Sequence, residues 1–198
     1  MRTNTYMKLE LLCKKRRGYI GTRELLKEGF SNRQIAALTE EGYLEKICYG
    51  YYWLLGNQCE KPLDYKCIEV CLSNPRAVIC MDSACYYQGY MEMEPECLFV
   101  ATERTDRSLL KMNFPIRRHY FSSNKFHCGI LWKETEFGRY NIYEAERSAC
   151  DMLRFEMESA GDVIGRIRGS ERQYQRLLKY AQSLRITLKN ETGEIWHG

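Results

Sequence analysis

The 198-residue sequence lacks long apolar runs, and no stretch approaches the roughly 18 consecutive apolar residues that a membrane-spanning helix needs. Its first residues lead into a charged segment without an apolar signal core, so we expect a cytoplasmic protein with no membrane partner. Low-complexity segments and internal repeats are also missing, while 44% of the residues are hydrophobic and 28% are charged. This composition excludes disordered, coiled-coil and collagen-like chains and is typical of a globular protein.

The sequence also lacks the common signatures of metal and phosphate chemistry. It contains no Gly-rich phosphate loop. The pairs Cys67/Cys71 and Cys80/Cys85 do not have the C-x2-C spacing of zinc ribbons, and both lie in apolar stretches. We therefore predict a protein without catalytic residues, metal or cofactor. We interpret its ten cysteines as free thiols in a reducing compartment.

Positive charge is concentrated in the first third of the chain. Residues 1–61 contain eleven Lys or Arg and seven Asp or Glu, whereas residues 62–198 contain nineteen of each. The excess in the first segment therefore equals the net charge of the whole chain, +4. Its densest cluster is Lys14-Lys15-Arg16-Arg17. A basic segment beside a neutral one indicates that the first segment meets a polyanion.

The first 58 residues have the element order of a winged helix-turn-helix. Apolar spacing, capping residues and β-formers predict helix, short strand, helix, tight turn, helix and two-stranded ribbon. The predicted segments are 5–14, 18–20, 23–28, 31–41, 43–47 and 51–55. Ser31 and Gln34 fit a capping box at the start of the third helix. We therefore predict a DNA-binding domain over residues 1–58.

The third helix is the predicted recognition helix, because such a helix presents its N-terminal residues to base edges in the major groove. Arginine binds guanine and asparagine or glutamine binds adenine, each contact contributing about 1–3 kcal/mol of discrimination. The predicted DNA-binding residues are Thr22, Arg23, Ser31, Asn32, Arg33, Gln34, Ala37, Lys46, Tyr49, Arg16 and Arg17. The alternative is that Gln34 only completes the capping box and that Arg33 is a solvated surface charge.

The number of available cations limits what one such domain can do. Three or four phosphate contacts correspond to a salt slope of only about −3, so a single domain would bind weakly. We therefore expect a dimer or a cooperative pair on a repeated site in double-stranded DNA.

The sequence predicts a second domain over residues 62–198, and a polar connector over 56–62 separates it from the first. Mixed helices and strands make the whole chain α+β, with a small sheet and flanking helices. The main predicted segments are strands at 97–101, 116–121, 130–136 and 140–143 and helices at 144–155, 162–168 and 171–184. Ser170 and Gln173 predict a capping box for the last helix.

Two polar clusters in the second domain are candidate interaction residues. Strand alternation places Arg117 and His119 on the same face of one strand. Arg147 and Asp151 are spaced i, i+4 on a helix, where they are able to pair. One interpretation is a surface that faces a toxin or DNA. The alternative is an internal ion pair together with solvated arginines.

Several segments resemble the AbiEi-type antitoxins of bacterial type IV toxin–antitoxin systems and the transcriptional regulators related to them. In the first domain these are residues 18–26, 30–35, 41–46 and 50–52. In the second domain they are PRAVI at 75–79, SACYYQG at 83–89, LFVA at 98–101 and ERSACD at 146–151. The resemblance extends from Tyr6 to Ile186, and it is carried by the order of the motifs.

The resemblance implies a repressor that binds inverted repeats in the promoter of its own operon. It also implies a C-terminal domain that neutralises a nucleotidyltransferase-like toxin. Gln88 departs from the family pattern, which more usually has a histidine before the glycine. The alternative within the family is a stand-alone transcriptional regulator.

Two further alternatives belong to other functional classes. One is a nucleic-acid-processing enzyme that uses a carboxylate site among Asp82, Glu96 and Glu103, with the winged helix delivering the substrate. The other is a protein-interaction module whose winged helix contacts protein and not DNA.

Overall fold

The computed structural model describes residues 2–55 and 60–188, with side chains from residue 4 onward. Within this part of the chain, nine helices and two sheets form an α+β fold, as the sequence predicts. The described residues divide into two compact units. The first unit takes residues 2–55, 60–75, 109–113 and 134–139, and the second takes residues 76–108, 114–133 and 140–188.

The first unit begins with three helices and a small sheet. Its elements are α1 (Arg2–Lys15), β1 (Tyr19–Gly21), α2 (Thr22–Lys27), α3 (Asn32–Glu40), β2 (Leu44–Cys48), β3 (Tyr51–Leu54) and α4 (Tyr65–Ser73). The strands form an antiparallel sheet of order β1-β3-β2, with Tyr19 opposite Trp53 and Leu44 opposite Leu54. The main core cluster is Leu9, Leu12, Ile20, Leu25, Phe30, Ile35, Leu38, Leu44 and Leu54.

Local sequence explains how the short helices end. Gly29 follows α2 with a φ of +83°, and Gly42 follows α3 with a φ of +78°. Glycine adopts this left-handed conformation without the steric cost that a Cβ atom imposes, so both helices stop there. The chain then turns into α3 after Gly29 and into β2 after Gly42.

The second unit contains most of a five-stranded sheet and the C-terminal helices. Its elements are β4 (Val78–Ile79), α5 (Met81–Tyr86), β5 (Leu98–Glu103), β6 (Ile116–Phe121), α6 (Ser123–Phe126), β7 (Ile130–Thr135), β8 (Gly138–Tyr143), α7 (Ala145–Arg154), α8 (Ala160–Arg168) and α9 (Glu171–Leu184). The end of β7 and the start of β8 lie in the segment 134–139, which belongs to the first unit. The strand order is β6-β5-β4-β8-β7, with β5 parallel to β6 and β4 parallel to β8. Its core is formed by side chains of the sheet, such as Phe99, Phe121 and Tyr143, together with the apolar faces of α5, α7, α8 and α9.

The first segment of the first unit continues to Pro75, past the connector that the sequence suggests between the domains. Residues 56–59 of that connector and residues 189–198 of the second domain lie outside the described residues. In this longer first unit, a polar network surrounds Glu69 of α4, which is 2% exposed. Tyr19 Oη donates a hydrogen bond to Glu69 Oε1 at 3.1 Å, and Lys61 Nζ lies 2.8 Å from the same oxygen.

The predicted capping box of α9 does not form. Ser170 precedes the helix, but its side chain accepts no capping hydrogen bond. Gln173 instead donates to the hydroxyl of Tyr90, a contact 83 residues apart in sequence. A tertiary hydrogen bond therefore replaces the local one that the spacing suggests.

Two features are absent from the described residues. None of their helices is both long and apolar enough to cross a bilayer. In the same part of the chain, no group of three or more His, Cys, Asp or Glu side chains is arranged to hold a metal ion.

Candidate nucleic-acid interface

The start of α3 is fixed by the predicted capping box, which is confirmed. Ser31 Oγ accepts a hydrogen bond from the backbone N–H of Gln34 at 3.3 Å, and Gln34 Oε1 accepts one from the N–H of Ser31 at 2.8 Å. Phe30, which is 2% exposed, anchors the turn that leads into the helix. The first turn of α3 is therefore held in place from both sides.

The outward side of α3 carries side chains that are free to meet a ligand. Ile35 and Leu38 point into the core, while Asn32, Arg33 and Ala37 are exposed. Within the described residues, the side chains of Asn32 and Arg33 form no hydrogen bond or ion pair. Their donors are thus available at the end of the helix where the backbone N–H groups also favour negative charge.

The side chain of Gln34, unlike those of Asn32 and Arg33, forms hydrogen bonds within the protein. Besides its contact with Ser31, its Nε2 donates a hydrogen bond to Thr5 Oγ1 of α1 at 2.8 Å. Both ends of the amide therefore have intramolecular partners, and the side chain is partly buried. This geometry favours the alternative in which Gln34 serves the capping box and not an adenine base.

The turn between β2 and β3 carries the most exposed aromatic side chain of the first unit. Tyr49 is 97% exposed at this turn, beside Gly50 with a φ of +82°. Lys46 is exposed on β2. Thr22 is half-buried, and its Oγ1 donates to the carbonyl of Gly50 at 3.2 Å while its N–H donates to the same oxygen at 2.8 Å. Thr22 therefore positions the turn.

The basic residues differ in how far they are committed to intramolecular ion pairs. Arg16 pairs with Glu24, which also accepts a hydrogen bond from the N–H of Gly21 at 2.9 Å. Partial burial raises the pKa of Glu24, but the Gly21 N–H and the Arg16 guanidinium together lower it below its ordinary value. In the described structure Arg17 and Arg23 are exposed and have no such partner. Their charge remains available to a polyanion.

Acidic groups lie at the opposite end of α3 from its free N-terminal side chains. Glu40 is exposed, and Glu41 accepts a hydrogen bond from the hydroxyl of Tyr6. A groove of 460 Å³ between α1 and α3 is lined in part by Arg33, Ala37 and Glu41. The positive character of this face is therefore greatest at the start of α3.

Arg117 and His119 lie on the same face of β6, as strand alternation predicts. The Arg117 guanidinium lies 5.3 Å from the Phe99 ring centroid, and the His119 ring stacks on Phe99 at 5.8 Å. Arg117 is exposed, whereas His119 Nε2 is buried without a hydrogen-bond partner in the described structure. Burial lowers the pKa of His119, and repulsion from the Arg117 guanidinium makes a smaller contribution in the same direction.

Arg147 and Asp151 pair as expected but do not belong to a surface. Both side chains are 0% exposed, and Arg147 Nη1 donates to Asp151 Oδ2 at 2.6 Å. The remaining Arg147 donors bind the carbonyls of Cys128 and Lys125 at 3.2 and 3.0 Å. Interpreting this pair as a toxin- or DNA-facing patch is therefore wrong, because the pair is buried and holds α7 against α6 and the residues that follow it.

Sequence reasoning missed Arg118, which organises the loop after β5. Its Nε donates to Thr102 Oγ1 at 2.7 Å, and its Nη2 donates to the carbonyl of Asp106 at 3.2 Å. Its Nη1 donates to the carbonyl of Ser108 at 2.5 Å. Strand alternation, which places Arg117 and His119 on one face, also places Arg118 on the opposite face. This alternation could have indicated that Arg118 has a different set of partners.

The three carboxylates of the enzyme alternative have separate partners. Asp82 accepts a hydrogen bond from Ser159 Oγ at 2.6 Å, and Glu103 lies 2.8 Å from His127 Nε2. Among the contacts of the described residues, none joins Asp82, Glu96 and Glu103 to one another. Their arrangement gives no support to a shared metal site.

Comparison with known proteins yields a likeness of fold. No protein-family model matches the chain, and no curated protein matches it. Among solved structures, the chain is similar to the RV2827C protein from Mycobacterium tuberculosis, with a TM-score of 0.60 and 12% sequence identity. The match covers 86% of this chain and 69% of that chain. At this identity, the match concerns the fold alone.

Proposed function

We propose that the chain is a sequence-specific DNA-binding repressor, not an enzyme, and that its first unit is a winged helix-turn-helix. Under this proposal α2 and α3 form the helix-turn-helix, α3 is the recognition helix, and the β2–β3 turn is the wing. The element order α1-β1-α2-α3-β2-β3 supports it. The concentration of the net positive charge in residues 1–61 supports it as well.

The observation that carries the proposal is the state of the first turn of α3. The turn is fixed by Ser31 and Gln34, yet Asn32 and Arg33 are exposed and uncommitted in the described structure. The preorganised backbone favours base recognition because little backbone entropy is lost on binding, and the uncommitted side chains break no intramolecular hydrogen bond when they bind. Arginine and asparagine are also the side chains that bind guanine and adenine in bidentate geometry.

Phosphate contacts are assigned to the exposed cations that have no intramolecular partner. Arg17, Arg23 and Lys46 meet that condition within the described residues, and Tyr49 lies at the wing tip. Three phosphate contacts correspond to a salt slope of about −3, so we propose that two copies bind an inverted repeat.

We further propose that the repressor is the antitoxin of a type IV toxin–antitoxin pair and controls its own operon. The support is the resemblance of its motifs, in order, to AbiEi-type antitoxins between Tyr6 and Ile186. In the second unit, Arg117 is the remaining candidate for contact with a nucleotidyltransferase-like toxin, since it is exposed on β6. A stand-alone regulator of the same family is the second candidate, and the identity of the adjacent gene separates the two.

The test is DNA binding by an Asn32→Ala/Arg33→Ala variant. Fluorescence anisotropy with a duplex from the promoter upstream of the gene should show a loss of roughly 30-fold or more, since two base contacts are removed. Affinity for unrelated DNA should change much less. Arg172→Ala on α9 removes an exposed cation from the other unit and should bind the promoter within about twofold of wild type.

Two results would contradict the proposal. Promoter binding by the double variant as tight as that of the folded wild-type protein would remove the recognition-helix assignment. Divalent-metal-dependent cleavage of the duplex by the wild-type protein would favour the nucleic-acid-processing enzyme instead.

A further inference from the structure

The second unit contains a cleft that the proposed DNA-binding function does not use. It has a volume of 450 Å³ and lies between the end of α7, α8, α9 and the segment that follows α9. This volume falls in the range of small-molecule sites, roughly 300–1,000 Å³. The position of the cleft among three helices gives it walls on several sides.

Apolar side chains line the inner part of the cleft. Leu177 of α9 is 0% exposed, Leu188 of the final segment is 8% exposed and Ile164 of α8 is 9% exposed. Leu153 and Ile186 add further apolar surface. Leu153 and Ile186 are only partly buried, so an apolar body placed against them would remove their remaining surface from water.

The outer part of the cleft is cationic. Arg154, Arg168 and Arg185 line it, and Glu156 is the acidic residue among the described lining residues. Counting each Arg as +1 and Glu156 as −1, the lining carries an excess of positive charge. Such a lining attracts an anion, and guanidinium groups bind carboxylate and phosphate oxygens in bidentate geometry.

Arg154 is held in position before any ligand arrives. Its Nη2 donates to the carbonyl of Leu184 at 2.7 Å, and its Nη1 lies 3.3 Å from Asp151 Oδ1. The other oxygen of Asp151 is already paired with buried Arg147. One carboxylate therefore faces two guanidinium groups, so the charge of Arg154 is only partly neutralised. The guanidinium also carries more N–H donors than these two contacts use.

The backbone around the cleft is unusual at two positions. Glu156 and Arg185 have φ values of +53° and +56°, and within the described residues Met81 is the one other non-glycine residue with positive φ. Both follow helix ends at which glycine is the usual residue, because a Cβ atom is disfavoured there. Capping hydrogen bonds hold both turns, since the N–H groups of Met157 and Ile186 donate to the carbonyls of Met152 and Ala181 at 3.0 and 2.8 Å. Here both bring a charged side chain to the same cleft.

We propose that this cleft binds a small organic oxyanion with an apolar body. The charged group would lie among Arg154, Arg168 and Arg185, and the body would lie against the partly buried Leu153 and Ile186. Arg168 also stacks on Tyr174, with its guanidinium 5.7 Å from the ring centroid, which gives an aromatic wall beside the cation. The ligand class is defined by carboxylate or phosphate attached to a hydrophobic group.

The test uses 8-anilinonaphthalene-1-sulfonate, a fluorescent anion with an apolar body, and its uncharged analogue N-phenyl-1-naphthylamine. The full chain should bind the sulfonate more tightly than the neutral probe. Arg168→Gln/Arg185→Gln should weaken sulfonate binding by about tenfold or more, because charge-assisted hydrogen bonds are lost. Arg168→Lys/Arg185→Lys should recover part of the affinity. Arg172→Gln, an exposed α9 cation outside the cleft, is the matched control.

Competition identifies the oxyanion. Displacement of the probe by octanoate supports a carboxylate ligand, and displacement by octyl phosphate supports a phosphate ligand. Inorganic phosphate at the same concentration should displace little, since it lacks the apolar body. Failure of both amphipathic anions would overturn the proposal. Equal sulfonate binding by wild type and the folded Gln variant, or equal affinity for the neutral probe, would also overturn it. Circular dichroism and thermal unfolding verify that each variant is folded.

Discussion

The network of Lys61, Glu69 and Tyr19 gives a sharp prediction about stability. Lys61 Nζ lies 2.8 Å from both Glu45 Oε1 and Glu69 Oε1, and the Lys61 and Glu69 side chains are 20% and 2% exposed. In Lys61→Met, the Glu69 carboxylate stays buried with only the Tyr19 hydroxyl as a described partner. Removing one member of a buried ion pair typically costs about 3–5 kcal/mol, and the partial exposure of Lys61 places the expected loss near the lower end.

A double variant separates the cost of the buried charge from the cost of lost packing. In Lys61→Met/Glu69→Gln the buried charge is gone, while the glutamine oxygen still accepts the hydrogen bond from Tyr19. We expect about 2 kcal/mol of the loss to be recovered, measured by urea denaturation followed by circular dichroism. Additive effects of the two substitutions, within about 0.5 kcal/mol, would refute the reasoning.

The same variant has a defined pH dependence. Burial raises the pKa of Glu69, and the Lys61 ammonium opposes that shift. Without Lys61 the pKa rises further, so the folded state binds a proton at a higher pH than the unfolded state does. The Lys61→Met deficit should therefore shrink as the pH falls from 7 towards 5. A deficit that is constant across this window would contradict the assignment.

Two further predictions follow from buried polar groups. Burial lowers the pKa of His119, so below pH 6.5, the pKa in the unfolded state, the unfolded protein binds a proton more readily than the folded protein does. The titration of His119 should therefore leave the free energy of unfolding unchanged above pH 6.5 and lower it below that pH, by at most about 1.4 kcal/mol per pH unit. His119→Phe should remove this dependence in thermal unfolding at pH 5 and 7.5, and an unchanged pH dependence would contradict it. Gln34→Ala should destabilise the fold by about 1–2 kcal/mol, because the two side-chain hydrogen bonds to the N–H of Ser31 and to Thr5 Oγ1 are lost. Its promoter affinity in anisotropy measurements on the folded protein should stay within about threefold of wild type, and a selective loss of promoter binding without destabilisation would restore Gln34 as a base-reading residue.

Features that depend on neighbouring residues could be predicted from the sequence. The cap formed by Ser31 and Gln34 joins a hydroxyl and an amide three residues apart, as the spacing predicts. The same spacing at Ser170 and Gln173 forms no cap, because Gln173 binds Tyr90. The bounds of β6 and α9 also match the predicted segments, 116–121 and 171–184. For these two elements the apolar periodicity and the flanking residues are enough to predict the bounds.

Features that depend on distant residues could not be predicted in this way. The hydrogen bond that ties Glu69 to Tyr19 spans 50 positions, and no local pattern marks either residue as a partner of the other. The burial of Arg147 likewise depends on carbonyls near Lys125, 22 residues earlier. Spacing alone indicated that Arg147 would pair with Asp151, but it could not decide whether the pair would face solvent.

The candidate interface shows the same division. Sequence pattern identified the start of α3, and within the described residues Asn32 and Arg33 remain uncommitted there. The sequence pattern could not distinguish Asn32 and Arg33 from Gln34 and Thr22. The Gln34 and Thr22 side chains donate hydrogen bonds to Thr5 and to the carbonyl of Gly50. That distinction depends on tertiary hydrogen bonds that only the folded chain reveals.

The discontinuous make-up of the first unit has a consequence for its synthesis. A chain made at about 5–20 residues per second needs roughly 3–13 s to extend from Pro75 to Arg139, the last residue of the segment 134–139. During that interval the nascent N-terminal portion lacks Phe137, whose ring centroid lies 5.6 Å from that of Trp53 in the finished unit. The contact between Phe137 and Trp53 therefore forms only after synthesis has passed residue 137, and the first unit cannot complete its packing before that point.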